Sequence, residues 1–356
     1  MRIAQVAPLY ESVPPRLYGG TERIVHYLTE ELVRRGHEVT LYASGDSVTR
    51  ARLRAVYPEA LRLNPPTQDP IVYHVMQLGM VLAEAEEYDV IHSHVDFRAL
   101  PLAQFCPTPI VSTNHNRLDS PEAITLSRTY PDAYLTSLSQ SHRKPLPWAR
   151  FVGTVHNAVP VEHFEFSGES GQYLAFLGRL SPEKGPAEAI AVAKRAGIPL
   201  KIAAKINDFE RDYYESVLRP QMDHPHIEFL GELNQQEKVR FLADAAALLF
   251  PVNWPEPFGL AMIESMACGT PVLAFPHGAV PEVLTHGVTG YMCGDEAEMA
   301  ARCLDVVDLD RLACRSHVEL NFSISRMADG YEAAYQRAIE EARDRGPSVH
   351  IGRIAA

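Results

Sequence analysis

The stretch from Pro251 to Pro271 reads PVNWPEPFGLAMIESMACGTP, and the fold is read outward from it. Pro255 and Pro257 hold the entry extended and remove backbone donors. From Phe258 to Ala267 the pattern turns helical, with Leu260, Ile263, Met266 and Ala267 at helical spacing. The first amides of such a helix, on Phe258, Gly259 and Leu260, have no acceptor inside it. They offer an anion site, and Gly259 lets an anion approach with no Cβ in the way. Glu256 stands just before the turn and Glu264 about two turns inside the helix, so at ~1.5 Å per residue they lie roughly 12 Å apart. A glycosidase acid and base lie closer, at ~5 to 9.5 Å. The longer spacing suits a ligand with hydroxyls at both ends and an anion in the middle, the outline of a nucleoside diphosphate sugar. Taken singly, each glutamate also fits a plainer role, Glu256 as a first-turn acid and Glu264 as a solvated face residue.

The flanking sequence alternates strands and helices. Tyr173 to Leu177 reads as a strand running into Gly178-Arg179-Leu180-Ser181-Pro182-Glu183-Lys184-Gly185 and a helix from Pro186 to Ala196. A lysine at a helix start opposes the dipole. A bound anion would remove that conflict, with Arg179 supplying the planar fork that grips phosphate oxygens; a solvated basic loop is the alternative. Further strands are expected at residues 199–204, 227–230, 246–250, 271–275 and 290–293.

The first half follows the same alternation. Arg2 to Pro8 is a buried strand, and a proline-bearing loop leads to Tyr18-Gly19-Gly20-Thr21-Glu22. Thr21 is expected to cap a helix striped by Ile24, Val25, Leu28 and Leu32 and stopped at Gly36. Gly19 and Gly20 can close on a phosphate or sugar, or serve as ordinary loop glycines. Residues 50–62 are arginine-rich and read as amphipathic, either a solvated helix face or a peripheral membrane contact. Residues 64–70 form a loop. His92-Ser93-His94 and Asn114-His115-Asn116 follow strands, and open parallel sheets bind ligands beyond the carboxyl ends of their strands. His94 and His115 are therefore expected to hydrogen-bond substrate hydroxyls. A metal shared by the pair lacks a carboxylate or thiolate of suitable spacing, so none is expected.

The linker is placed at Ser167–Gln172, dividing an N-terminal domain, 1–165, from a C-terminal one, 166–325. A last helix, 326–345, carries Met327, Tyr331, Ala334, Tyr335 and Ala338 on one face and is expected to pack back on the first domain; the tail beyond Gly346 is expected to be loosely held. The length, 356 residues with 46% hydrophobic, also suits two domains. Five scattered cysteines point to a reducing compartment. With no leader pattern and no apolar run near ~18 residues, a cytoplasmic protein is expected. The net charge of -12 is concentrated in the second half: residues 1–160 hold 15 Lys+Arg against 16 Asp+Glu, the remainder 18 against 29. Nucleic acid is a poor partner for such a chain, and a diphosphate would need a few placed cations.

These residues resemble the family 4 retaining glycosyltransferases of the GT-B fold along nearly the whole chain. The resemblance is carried by Gly19-Gly20-Thr21-Glu22, Asp89-Val90-Ile91-His92-Ser93-His94, Thr113-Asn114-His115, Gly178-Arg179-Leu180 with Lys184-Gly185, and above all Glu256-Pro257-Phe258-Gly259 with Glu264 and Ala267-Cys268-Gly269-Thr270-Pro271. It implies an α/β protein of two Rossmann-like βαβ domains facing each other across a cleft, the first binding acceptor and the second the nucleotide-sugar donor. By the same resemblance, Glu256 contacts donor sugar hydroxyls, Glu264 holds the ribose, and Arg179 and Lys184 bind the diphosphate with the amides of Phe258, Gly259 and Leu260. Gly19 and Gly20 close over the donor, and His115 meets the transferred sugar; His115 and Glu256 are the catalytic candidates. Asn116, where the family often has Asp or Gly, and Ala158, which replaces a frequent Gly, bear on the acceptor side with His94.

The resemblance further implies transfer with retention by front-face displacement, the departing phosphate accepting the proton, with no metal or other cofactor. Asp308-Leu309-Asp310 looks like the metal motif of other sugar transferases but falls in an expected helix. UDP-glucose is the first expected donor, with the base read by backbone near Gly231; the acceptor and the oligomeric state are left open. The rival readings are a nucleotide-sugar epimerase of the same fold and a catalytically silent sugar-nucleotide-binding protein.

Overall fold

The computed structural model describes residues 1–17, 19–63 and 69–345. Tyr18, residues 64–68 of the expected loop and the tail beyond Gly346 lie outside the described residues. The chain divides into two compact units: Met1–Asn157 together with the chain from Ile324 onward, and Ala158–Ser323.

The N-terminal unit is built on seven parallel strands in the order β3-β2-β1-β4-β5-β6-β7. They are β1 (Arg2–Val6), β2 (Glu38–Ala43), β3 (Arg52–Ala55), β4 (Val90–Ser93), β5 (Ile110–Thr113), β6 (Tyr134–Ser137) and β7 (Phe151–Thr154). Parallel strands covered on both faces read as continuous apolar runs, and Ile3, Ala4 and Val6 of the central β1 are wholly buried. Chain order reverses between β1 and β4, the switch point at which open sheets form ligand crevices. The Gly20–Arg34 helix follows β1, with Ile24, Val25, Leu28 and Leu32 all buried. Its N-cap is Gly19 and no side chain caps it, so Thr21 lies inside the first turn instead of capping the helix. The final helix, Ile324–Arg345, buries Met327, Tyr331, Ala334, Tyr335 and Ala338 in this unit. Arg35 anchors it through Asp329 and Glu332, each at 2.7 Å.

The arginine-rich segment is a strand and not a helix. β3 pairs with β2, and Leu53 packs toward Val25 and Leu41. Arg50 pairs with Glu30 at 2.6 Å, Arg52 with Glu87 at 3.6 Å, Arg54 with Glu84 and Arg62 with Glu11 at 2.7 Å. The arginines thus meet the chain's own carboxylates. No helix among the described residues is long and apolar enough to cross a membrane.

The C-terminal unit has six parallel strands in the order β10-β9-β8-β11-β12-β13. They are β8 (Leu174–Arg179), β9 (Leu200–Lys205), β10 (Ile227–Gly231), β11 (Ala247–Phe250), β12 (Val272–Ala274) and β13 (Gly290–Met292). Here the switch point falls between β8 and β11. The boundary between units lies at Asn157/Ala158, earlier than the expected 165/166. Val159 donates to the carbonyl of Phe322 at 3.1 Å, and Arg315 donates to the carbonyls of Val161 and Phe164. Residues 159–167 are therefore bonded into the second unit. Asp310 accepts from the Leu312 amide as cap of the Arg311–Asn321 helix, so the Asp308-Leu309-Asp310 run is a helix entry.

Arg311 is a buried cation of this unit. It donates to the carbonyls of Ser167 (2.7 Å), Ala243 (2.9 Å) and Ala245 (3.1 Å) and to Thr270 Oγ1 (2.6 Å). Removing it leaves several buried acceptors without a donor, at about 1–3 kcal/mol each before relaxation. Arg311→Met should destabilise the C-terminal unit by roughly 3 kcal/mol or more; a urea titration with unchanged midpoint would contradict this.

Candidate functional site

Two loops meet at the switch point of the C-terminal unit. The first leaves β8 at Arg179, makes a turn over Pro182–Lys184 and enters the Pro186–Ala196 helix. The second leaves β11 and enters the Leu260–Ala267 helix. They approach so closely that a Cβ on Gly185, at φ 73°, would lie 2.0 Å from the carbonyl oxygen of Pro251. The Asn253 amide donates to the carbonyl of Glu183 at 2.9 Å.

This contact joins the expected site residues. Lys184 Nζ donates to Glu256 Oε2 at 2.6 Å and sits over the Trp254 ring at 4.7 Å. Trp254 Nε1 donates to the same carboxylate oxygen at 2.7 Å. Arg179 donates to Glu210 and Glu183, each at 3.0 Å. Glu264, 3% exposed, is ion-paired with Lys238 on the Gln235–Ala243 helix. The dipole conflict expected of Lys184 is thus relieved by Glu256. One expectation fails: the helix starts at Leu260 with left-handed Gly259 (φ 88°) as N-cap, so Phe258 belongs to the loop. Its ring is buried against Phe322 at 5.7 Å, because the proline-bearing entry carries an apolar side chain that the core takes up. The left-handed backbone is what favours glycine at 259, where a Cβ would meet only side-chain atoms, Met262 Cε at 2.5 Å and Phe250 Cζ at 3.1 Å.

Glu256 is also held from behind. The Ala279 amide donates to its carbonyl at 2.8 Å, and a Cβ on Gly278 (φ 62°) would fall 2.2 Å from its backbone nitrogen. Gly278, Trp254, Lys238 and Glu210 are not among the residues the sequence singles out; Trp254 lies inside the quoted Pro251–Pro271 stretch, while Gly278, Lys238 and Glu210 give no signal there.

In the N-terminal unit the histidines gather at the ends of β4 and β5. His115 Nε2 lies 2.9 Å from His94 Nδ1, and His94 Nε2 lies 3.0 Å from Gln5 Oε1. His94, expected on the acceptor side, has both nitrogens engaged inside the protein and none left for an acceptor. His92 lies beneath, bonded to Tyr335 (2.6 Å) and Thr113 (2.7 Å). His92 and His94 are wholly buried, whereas His115 keeps an accessible edge. Burial holds all three neutral, with His115 lowered to about 3 and the other two well below the usual imidazole range. Asn116 donates to Asp96 Oδ1 at 3.0 Å. Gly19 passes so near Pro15 that a Cβ would lie 2.6 Å from that side chain; close packing alone therefore explains one glycine of the pair, and Gly20 opens the helix. Among the described residues no three His, Cys, Asp or Glu side chains form a group that could hold a metal ion.

Comparison with known proteins fits this geometry. The family model described as glycosyl transferases group 1 matches residues 162–314, and glycosyltransferase family 4 matches residues 18–163. The chain belongs to the family 4, group 1 glycosyltransferases. It is 27% identical to the glycogen synthase of Mycobacterium tuberculosis over 363 aligned positions, covering 86% of each chain. Among solved structures, sucrose-phosphate synthase from Thermosynechococcus elongatus superposes with a TM-score of 0.79 at 16% identity, covering 96% of this chain and 100% of that one. Anabaena HepE, in complex with UDP and glucose, gives 0.73 at 18%, covering 94% and 99%. The fold is GT-B, and this glycosyltransferase carries its two Rossmann-like units as separate compact bodies.

Two outcomes follow from the glycosyltransferase's geometry. Gly278→Ala forces both a left-handed backbone, about 1–3 kcal/mol, and a collision with Glu256. Gly287→Ala, at φ 77° with nothing within 4 Å, meets the strain alone. Gly278→Ala should therefore lose more stability and nearly all donor turnover, and equal losses in the two variants would contradict the contact. The second concerns pH. The three histidines have folded pKa values below the unfolded ~6.5, so the unfolded state binds more protons and stability falls as pH drops below that value. Buried Glu22 opposes them: desolvation, and then the charges of Glu11 and Asp96, raise it to about 7. Being raised, it contributes stability as pH falls from 7 toward 4.5. Urea unfolding of the N-terminal unit should weaken from pH 7 to 5, and Glu22→Gln should steepen that loss; a shallower profile in the variant would refute the assignment.

Proposed function

We propose that this glycosyltransferase moves a hexose from a nucleoside diphosphate sugar, UDP-glucose before GDP- or ADP-linked donors, to a hydroxyl acceptor with retention and without a metal. The observation that carries the reading is the Lys184–Glu256 pair at the switch point, 2.6 Å long and backed by Trp254. An arriving diphosphate offers Lys184 and Arg179 a denser anion than the carboxylates they hold in the free chain. It takes over the lysine, and Glu256 turns to the hydroxyls of the sugar. The amides at the start of the Leu260–Ala267 helix add partial positive charge. The buried Glu264 accepts from the ribose, its charge already balanced by Lys238. Charge growing on the leaving phosphate is thus met by preoriented cations and dipoles, usually the largest catalytic contribution of a site.

The residues also favour a front-face course. His115, neutral and partly exposed, is a hydrogen-bonding group toward the transferred sugar and a poor base. No side chain singled out in either unit is poised as a general base, so the departing phosphate takes the acceptor proton. The choice of UDP-glucose is supported by the same fold holding UDP and glucose in Anabaena HepE. The free thiols, four of them buried, suit a cytoplasmic setting.

Thermal melts against UDP, GDP, ADP and their sugars, with and without EDTA, test the donor. A nucleotide at 100 times its Kd adds about 2.7 kcal/mol of stability. A UDP shift that EDTA leaves intact, with product of retained anomeric configuration by NMR, is the expected result. A shift lost on chelation overturns metal independence, and an epimerised sugar released without acceptor overturns transfer. Lys184→Ala should lower kcat/KM for the donor about ten- to hundred-fold, the loss of one charge-assisted hydrogen bond; wild-type kinetics would sink the phosphate assignment.

A further inference from the structure

An unbroken series of hydrogen bonds crosses the interior of the N-terminal unit from His115 to Thr136. His115 Nε2 meets His94 Nδ1 at 2.9 Å, and His94 Nε2 meets Gln5 Oε1 at 3.0 Å. Gln5 Nε2 donates to Tyr335 Oη at 2.9 Å, which lies 2.6 Å from His92 Nδ1. His92 Nε2 reaches Thr113 Oγ1 at 2.7 Å, and Thr113 bonds to Thr136. Gln5, His92, Thr113 and Tyr335 have no exposed surface at all.

In a neutral imidazole one nitrogen donates and the other accepts, so each link fixes the next. The carboxamide oxygen of Gln5 can only accept. His94 therefore carries its proton on Nε2, and its Nδ1 accepts. His115 must then donate from Nε2, which leaves a lone pair on its Nδ1. On the other side, the Gln5 amide donates to Tyr335, whose single proton goes to His92 Nδ1, and His92 donates onward from Nε2. Turning the Gln5 amide over would reverse every bond and put a proton on His115 Nδ1. The Tyr335 hydroxyl can serve either sense, so the direction is set by the Gln5 amide, whose oxygen faces His94 and whose nitrogen faces Tyr335.

We propose that Gln5 and Tyr335 are positioning residues for sugar transfer: acting through His94, they hold His115 with its proton on Nε2 and present Nδ1 as a hydrogen-bond acceptor to a hydroxyl of the transferred sugar. This rests on the reading above that His115 faces that sugar. An acceptor nitrogen welcomes a hydroxyl, which has a proton to give. It disfavours a carboxylate in the same place, so a neutral hexose is selected over a sugar bearing an acid there.

The test is nitrogen NMR of the imidazole rings in the full chain, joined to steady-state kinetics. In the wild type, His115 should appear as one tautomer, protonated on Nε2 and bare on Nδ1. Tyr335→Phe keeps the ring and removes the hydroxyl, freeing the Gln5 amide; His115 should become a mixture of tautomers, with kcat falling roughly tenfold and the donor KM unchanged. Tyr88→Phe is the matched control, because its hydroxyl is buried in the same unit but bonds to Tyr42 at 2.8 Å, which is no member of the series. It should change neither the tautomer nor kcat. A wild-type His115 protonated on Nδ1 would overturn the proposal, and this reading needs no variant to fold. So would a Tyr335→Phe protein whose His115 tautomer matches the wild type. If the tautomer shifts and kcat does not, the hydrogen-bond series stands and the placement of His115 at the sugar falls.

Discussion

The C-terminal site depends on a lysine and a glutamate that come from loops seventy-two positions apart and meet in a partly buried place. Taking two charges out of water is expensive, and the attraction between them repays it only when the geometry is good and the remaining lone pairs are satisfied. Both conditions are met by backbone closeness. Gly185 lets the first loop lie on the Pro251 carbonyl, and Gly278 lets a third loop lie on Glu256 itself. Trp254 then supplies a ring face to the ammonium and an indole donor to the carboxylate. The glycines in this region are thus less a flexible cradle than the condition for three backbones to pack at one carboxylate.

The N-terminal unit solves the opposite problem. Its polar residues at the ends of β4 and β5 are kept uncharged, by burial and by hydrogen bonds that consume every nitrogen of His92 and His94. A neutral wire of this kind has direction without charge, so it orders the ring of His115 without adding a charge to the interior of the unit.

How much of this was legible follows the range of the interactions. Strands β1, β2 and β4 to β13 are short, largely apolar runs bounded by Gly, Pro or polar turns, and such runs fix themselves locally. The Glu256 to Gly259 turn was legible because its prolines and glycine restrict the backbone by covalent geometry. Residues 50–62 were misread because four arginines hide a two-residue alternation, and their partners, Glu30, Glu84 and Glu87, are distant in sequence. Thr21 was misplaced because Gly19 starts the helix without a side-chain cap. Gln5, a polar residue within the apolar IAQV strand, was a visible anomaly, yet its meaning lies in Tyr335, 330 positions away. No local pattern encodes that pairing. Lys238 and Glu210 were silent for the same reason.

The charge distribution becomes intelligible once the pairs are known. The second half carries 29 acidic against 18 basic residues, which by bulk field should repel a diphosphate. Arg179, Lys184 and Lys238 each already hold a carboxylate, however, so on the proposed function a diphosphate would enter a set of formed pairs and exchange partners there. An exchange of anions at fixed cations needs little new desolvation of the lysine, because its water was removed when the chain folded. The free energy that remains is the difference between a carboxylate and a phosphate as partner, and that difference is largest where charge builds up during bond breaking. On that proposal, prefolded ion pairs would favour the transition state over the resting donor, which is the condition for catalysis as opposed to mere binding.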